Sequence, residues 1–326
     1  MHSISRRKIV GAGAGLAAAP FAPALAQPAA NWPSRPVRLI VPYAAGGPSD
    51  ILARAVQAPL QAALGQPIVV ENRPGGGAII GTETAARAED GHTFLVADSP
   101  HTIIPAVQAR VPYDPANDFR PITLFGAVSM VLMVNPALPA RSLAEFIASA
   151  KARPDAVTFG SSGVGSLTHL LPEWLGLITG AKFTTVPYRG SGPALLDVVA
   201  GQINAIFSST LSAAGPLRDN QVRPLAVAAP SRIPTLPEVP TMREGGVDLV
   251  CGNWWGVLAP RSTPPQVAAR LESALGEAID HPAVRDRFVA LGIEARPRGA
   301  APFAELLSAE FATWARVARD AGVSVQ

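Results

Sequence analysis

Cysteine is almost missing from this chain. Cys251 stands alone in 326 residues, so a disulfide within the chain is impossible and a thiolate metal cluster has no ligands to draw on. Leu249 and Val250 precede it in an apolar, strand-like run, which points to a buried, inert thiol. Histidine is little better supplied. His2, His92, His101, His169 and His281 are the whole set, and none stands near a second His, a Cys or an acid at metal-ligand spacing. Neither a resident metal nor another cofactor is expected. Long apolar runs are absent too: beyond the N-terminus, nothing reaches the length of a membrane-spanning helix.

What the chain does have begins at residue 1. Ser5, Arg6 and Arg7 form a twin-arginine start, residues 10–19 a short apolar core padded with Gly and Ala, and Ala24-Leu25-Ala26 a small-residue cleavage site. Residues 1–26 are therefore expected to be a cleaved twin-arginine signal peptide that carries a folded chain to the periplasm. The glycines at 11, 13 and 15 fall inside this leader, so their likeness to a dinucleotide loop has no meaning. Removing the leader also corrects the charge. The full chain has 27 Lys and Arg against 24 Asp and Glu. The leader holds Arg6, Arg7 and Lys8 and no acid, so 27 − 3 leaves 24 against 24. No basic block remains to track phosphates, and nucleic acid is not an expected partner.

After cleavage 326 − 26 leaves 300 residues, enough for two compact lobes. Strand-like runs alternate with helical patterns along their whole length. Residues 37–41, 68–70 and 93–97 read as strands, with helices over 49–64 and 81–87. Apolar runs at 122–125 and 128–134 follow, then a helix over 142–152. A second series continues with strands at 157–159, 184–186, 205–207 and 223–229, and helices near 168–177 and 194–200. A strand at 255–258 and helices near 265–279, 283–291 and 302–321 close the chain. This rhythm implies mostly parallel sheets covered on both faces. The chain is expected to cross to a second lobe near 128–135 and to return near 222–228. Residues 27–127 and 228–326 then form lobe I and residues 128–227 lobe II.

Three strand-to-helix loops share one chemistry. The first, from Val41 through Pro42-Tyr43-Ala44-Ala45-Gly46-Gly47-Pro48 to Ser49-Asp50, offers glycines for close backbone approach and hydroxyl or carboxyl caps at a helix start. The second, Ser161-Ser162-Gly163-Val164-Gly165-Ser166-Leu167-Thr168-His169, opens a helix with small hydroxyl residues and no net charge. The third, Val186-Pro187-Tyr188-Arg189-Gly190-Ser191-Gly192-Pro193, puts proline in a first helical turn. Spare amide donors and positive dipole ends at such places suit an anion that has no fixed counter-ion. Taken singly, each loop also reads as an ordinary capped turn. Val164 breaks a nucleophile-elbow pattern, and His169 reads as a packed or capping side chain rather than a base. Gly75-Gly76-Gly77 misses the phosphate-loop register and reads as a turn.

These stretches resemble the Bug-type substrate-binding proteins of tripartite tricarboxylate transporters, over nearly the whole chain from Trp32-Pro33 onward. The likeness is carried by Val41 to Gly47 with Asp50 and Arg54, and by Val70-Glu71-Asn72-Arg73-Pro74-Gly75. Gly163-Val164-Gly165-Ser166 with His169-Leu170, Val186-Pro187-Tyr188-Arg189-Gly190 and Gly201-Gln202 add to it. Glu238-Val239-Pro240-Thr241 and Trp254-Trp255-Gly256-Val257 complete it. The resemblance implies an α/β, two-lobed periplasmic-binding-protein fold (type II-like), each lobe a mostly parallel sheet flanked by helices. It also implies a small organic carboxylate held between the lobes by amides, hydroxyls and waters. Partners would be a membrane permease of one large and one small subunit and, in some cases, a sensor kinase; a monomer is the default.

Several positions depart from the family pattern. Asn204 stands where an acid is common, and Ser208-Ser209-Thr210 and Ser99-Pro100-His101-Thr102 are unusual, which leaves the ligand open. The ligand-binding residues expected are Tyr43, Ala45, Gly46, Gly47, Ser49, Asp50, Ser99 and His101 from lobe I. From lobe II they are Ser161, Ser162, Gly163, Ser166, Thr168, Tyr188, Arg189 and Ser208. No catalytic residue is expected. The rival reading is an exported serine hydrolase, which would need a base and an orienting acid beside one of these serines; another is a ligand sensor.

Overall fold

The structure, a computed structural model, describes residues 32–325; the expected signal peptide lies outside them. The chain opens with β1 (Val37–Val41), α1 (Pro48–Leu64), β2 (Ile68–Asn72), α2 (Ile79–Ala86) and β3 (Thr93–Asp98). These strands pair in parallel, β1 lying between β2 and β3. A parallel strand is covered on both faces, which is why β1, apart from Arg38, and the centre of β3 are apolar without alternation and buried nearly throughout. Next comes α3 (Pro100–Val107), a helix that the sequence reading leaves out. Pro100 suits its first turn, but Pro105 inside it disguises the pattern.

The two apolar runs expected at 122–125 and 128–134 are one strand, β4 (Phe119–Val134). Bulges between Pro121 and Thr123 and between Leu124 and Gly126 bend it. Then follow α4 (Leu143–Ala152), β5 (Thr158–Ser161), α5 (Leu167–Thr179), β6 (Thr184–Pro187), α6 (Ser191–Val199) and β7 (Ala205–Ser209). The short α7 (Ala214–Arg218), β8 (Arg223–Val227) and β9 (Gly252–Pro260) come next. The chain ends with α8 (Pro265–Asp280), α9 (Pro282–Ala290), β10 (Glu294–Arg298) and α10 (Ala300–Ala321).

The ten strands form one mixed sheet, in the order β2-β1-β3-β9-β4-β7-β5-β6, with β8 and β10 also pairing β4. Parallel pairs occupy the outer parts, β5 with β6 and β7 on one side and β1 with β2 and β3 on the other. The middle is antiparallel, because β9 runs against both β3 and β4. Along β4 the partners change: residues up to Ser129 face β9, and those from Met130 face β7, with β8 joining from Val131. A single strand thus connects two sets of buried cores. One set packs Val37, Leu39, Leu52, Phe94 and Val257 against Leu271 and Phe288. The other packs Phe146, Phe159, Leu171 and Phe207 together.

The last helix belongs to both. Phe303 and Leu307 of α10 pack with Leu95 and Trp254, while Trp314, Val317 and Ala318 pack with the Phe159 cluster. The Trp314 ring meets Trp174 edge-on at 5.5 Å. Between these ends the half-buried Glu310 accepts hydrogen bonds from Thr102 Oγ1 (2.7 Å) and Trp254 Nε1 (2.8 Å). The sequence reading assigns residues 228–326 to one lobe and takes no account of this straddling. Cys251 is buried, and burial pushes its thiol well up. It is therefore a packing residue with little thiolate character.

Candidate functional site

A cavity of about 640 Å³ opens where β1, β3 and β9 face the loops before α5 and α6. That volume suits a small ligand with some water. One wall carries Tyr43, Pro48 and Ile51 around the start of α1, Asp98 at the end of β3, and Asn253 and Trp255 of β9. Ile103, Ile104 and Val107 of α3 extend it. Val128 and Met130 of β4 lie between the walls, and the second wall is loop 162–168 with Ser191, Ser208, Ser209 and Ser212.

The second wall is a concave surface of hydroxyls and amides, and its shape follows from its own hydrogen bonds. Ser166 caps α5: its Oγ accepts from His169 N (3.2 Å) and donates to Gly163 O (2.7 Å). Thr168 Oγ1 accepts from Ser162 N (2.7 Å) and lies 2.8 Å from Ser162 Oγ. Gly165 N donates to His169 Nδ1 (2.9 Å), so that nitrogen carries no proton, and burial holds the imidazole pKa down. His169 is thus a neutral loop brace. Among the described residues, the N–H groups of Val164, Leu167 and Thr168 find no protein acceptor. Ser208 Oγ, on the buried strand β7, is likewise buried without a partner. Such groups at a helix entrance suit a negatively charged oxygen.

The first loop is organised differently. Asp50 turns back into it, its Oδ2 accepting Gly46 N (2.9 Å) and its Oδ1 accepting Arg54 Nε (3.0 Å). Burial alone would raise the Asp50 pKa, but the bonds from Arg54 and Gly46 outweigh it and hold the carboxylate below its usual range. Arg54 also reaches Asn72 Oδ1 (3.1 Å), and Asn72 Nδ2 donates to Tyr43 O (3.1 Å). The residues that carry the family likeness here therefore clamp the loop and leave the cavity to Tyr43. Its hydroxyl donates to Asp98 Oδ1 (2.7 Å), and Trp255 Nε1 donates to Ser49 Oγ (3.1 Å), which lies close enough to Asp98 to favour its carboxylate.

Asp98, which ends the buried strand β3, is an acid not among the expected site residues. Burial pushes its pKa up to about 7, against the opposing pull of Tyr43 and Ser49. An ordinary aspartate titrates near 3.9, so between pH about 4 and about 7 the folded protein holds a proton that the unfolded chain does not. Asp98 therefore favours folding fully below that window and loses the contribution as pH rises through it. Asp98→Asn has nothing to ionise there. It is expected to melt above the wild type near pH 8 and to lose that advantage near pH 4. Equal melting temperatures by calorimetry at the higher pH would contradict this environment for Asp98.

Of the expected residues, the structure brings Tyr43, Ser162, Gly163, Ser166, Thr168 and Ser208 to the cavity. Ala45, Gly46, Gly47, Ser49 and Asp50 stand beside it in the braced first loop. Ser99 stitches β3 to β9, its Oγ accepting Trp254 N (3.1 Å) and donating to Gly252 O (3.3 Å). His101 is buried between Phe119 and Phe311 with Nε2 3.0 Å from Pro115 O, and burial lowers its pKa to about 4. Ser161 is buried against Val186 O. Tyr188 donates to Asp197 Oδ2 (2.7 Å), burial and that acid raising its pKa to about 12, and Arg189 is exposed. Asn204 fastens β5 to β7, accepting from Thr158 N (2.8 Å). Beyond Asp98, the lining residues not foreseen are mostly apolar; Ile103, Ile104 and Val107 come from α3, whose prolines hid it, and Ile51, Val128, Met130 and Trp255 from α1, β4 and β9.

Among the described residues, no serine hydroxyl is bonded to a histidine ring, and no group of three or more metal-ligating side chains occurs. None of the described helices is long and apolar enough to cross a membrane.

The family "Tripartite tricarboxylate transporter family receptor" matches residues 52–323. Protein BugT of Bordetella pertussis is 37% identical over 302 residues, covering 91% of this chain and 92% of that protein. Among solved structures, Rpa4515 of R. palustris with adipate has a TM-score of 0.74 at 32% identity, covering 90% of this chain and 99% of that one. MatC of Rhodopseudomonas palustris with bound malate has a TM-score of 0.71 at 34% identity, covering 88% and 99%.

Proposed function

The chain belongs to the tripartite tricarboxylate transporter receptor family, and from that membership we propose that it captures a small organic carboxylate in the periplasm for delivery to a membrane permease. The family is one of solute-binding receptors, and two relatives hold dicarboxylates, adipate and malate. One observation carries the reading for this chain. Its cavity pairs unfilled amide donors around α5 with the partnerless Ser208 Oγ, and among the described residues no Lys or Arg side chain lines it. A carboxylate bound there would be held by distributed donors rather than by an ion pair. Neutral hydrogen bonds contribute about 0.5–1.5 kcal/mol net, and micromolar affinity needs about 8 kcal/mol, so several donors must act together.

The ligand-binding set proposed is Tyr43, Ser162, Gly163, Ser166, Thr168 and Ser208. Residues 27–127 with 228–326 would form one lobe and 128–227 the other, with β4 and α10 continuous across the hinge on which they close. Export through the twin-arginine route, and a permease of one large and one small subunit, complete the proposal.

Thermal-shift screening against di-, tri-, hydroxy- and amino-carboxylates tests it, followed by recovery of the bound compound after heat denaturation. A raised melting temperature with an acid recovered unchanged is the expected result. If no carboxylate stabilised the protein the reading would fail, and a converted product would favour the hydrolase.

A further inference from the structure

Among the described residues Asp98 is the one acidic side chain on the cavity wall, and it is only 8% exposed. A carboxyl so deeply placed is ordinarily matched by a cation. Among the described residues none pairs with it: Arg54, the cation of the neighbouring helix face, is committed to Asp50 and Asn72. What Asp98 has instead is support. Tyr43 OH holds Oδ1, and Ser49, whose oxygen already accepts Trp255 Nε1, is free to donate its own proton. The carboxyl is thus fixed in position yet unmatched in charge. Around it the wall is apolar, with Ile51, Ile103, Ile104, Met130 and Trp255 offering surface to a hydrocarbon body. The donors for an anion belong to other elements, α5 and β7.

We propose that the missing cation is brought by the ligand: this receptor takes an amine-bearing carboxylate, its carboxylate on the donors of loop 162–168 and Ser208 and its ammonium on Asp98. The inference rests on the carboxylate-receptor reading and narrows it. A dicarboxylate would set its second negative charge toward Asp98, and an unsubstituted acid would leave Asp98 unmatched.

A sign follows for pH. In the free protein burial holds Asp98 at about 7; an ammonium beside it lowers that value, so binding below neutrality expels a proton. The groups facing Asp98 do not interfere. Tyr43, from the loop after β1, is pushed well above its ordinary value by burial and by Asp98, Ser49 of α1 and Trp255 of β9 carry no charge, and Asp50 is tied to Arg54. Affinity for an amino acid should therefore rise about tenfold from pH about 6 to about 8, whereas affinity for a dicarboxylate should fall.

The experiment is calorimetry on the mature chain with straight-chain acids in matched sets: α- and ω-amino acids, the unsubstituted acids and the dicarboxylates, over a range of lengths. At some length an amino acid is expected to bind at least about thirtyfold tighter than both counterparts, with the rising pH profile and proton release. Asp98→Asn should erase both the preference and the slope. Should that variant not fold, the wild-type profile carries the decision alone. Tighter binding of a dicarboxylate or an unsubstituted acid, or an affinity flat or falling with pH, overturns the inference and leaves the carboxylate reading intact. Failure of every acid to bind overturns both.

Discussion

Gly165→Val is expected to abolish carboxylate binding while the protein still folds. Gly165 has φ +76°, and a Cβ there would lie 2.8 Å from Val325 Cγ2 and 3.1 Å from Val107 Cγ2. A β-branched side chain at positive φ adds about 1–2 kcal/mol of backbone strain. The loop can relieve both only by moving, and it cannot move freely, because Gly165 N is bonded to His169 and Ser166 to Gly163 O. The displaced loop carries Ser162, Ser166 and the open N–H groups of α5, so the loss is cooperative and should reach about a hundredfold or more. Calorimetry with the best carboxylate from the screen measures it, with thermal melting as the control for folding. Affinity within about threefold of wild type would remove loop 162–168 from the proposed site.

Gly81→Ala should have the largest effect on stability. Gly81 lies in α2 with ordinary helical backbone, so the methyl group itself is the problem. It would stand 2.6 Å from Pro42 Cα, 2.7 Å from Arg73 O and 2.8 Å from Pro42 Cβ. These are mostly backbone atoms from two strand ends, and no side chain can swing away. Overpacking of this kind costs about 3 kcal/mol, on the order of a 6 °C fall in melting temperature. Because Pro42 precedes Tyr43, which holds Asp98, ligand affinity should fall as well. An unchanged melting curve would mean that α2 does not press on the β1–α1 loop as tightly as these distances require.

Why Gly81 escaped notice in the sequence illustrates what a sequence conceals. Within the run Ile79-Ile80-Gly81-Thr82 it looks like a weak spot in a helix, and its need for a bare Cα arises from Pro42, thirty-nine positions away by 81 − 42 = 39. The same is true of α3. Pro100 and Pro105 argue locally against a helix, yet Ile103, Ile104 and Val107 supply an apolar wall of the cavity. The strand–helix order, by contrast, was plain, because buried parallel strands such as 37–41 need continuous apolar residues and their covering helices need an apolar stripe.

The two buried serines Ser161 and Ser208 mark the boundary between the two kinds of knowledge. Both lie at or next to the end of a strand, and both were expected in the site. Ser161 bonds Val186 O, whereas Ser208 has no partner and borders the cavity. Local composition determined that a strand, a donor-rich turn and a helix follow one another, since those preferences act between near neighbours. Which polar atoms remain open to a ligand was decided only by tertiary structure. A hydrogen bond is lost or made according to what distant segments bring within about 3 Å, and no local pattern encodes that.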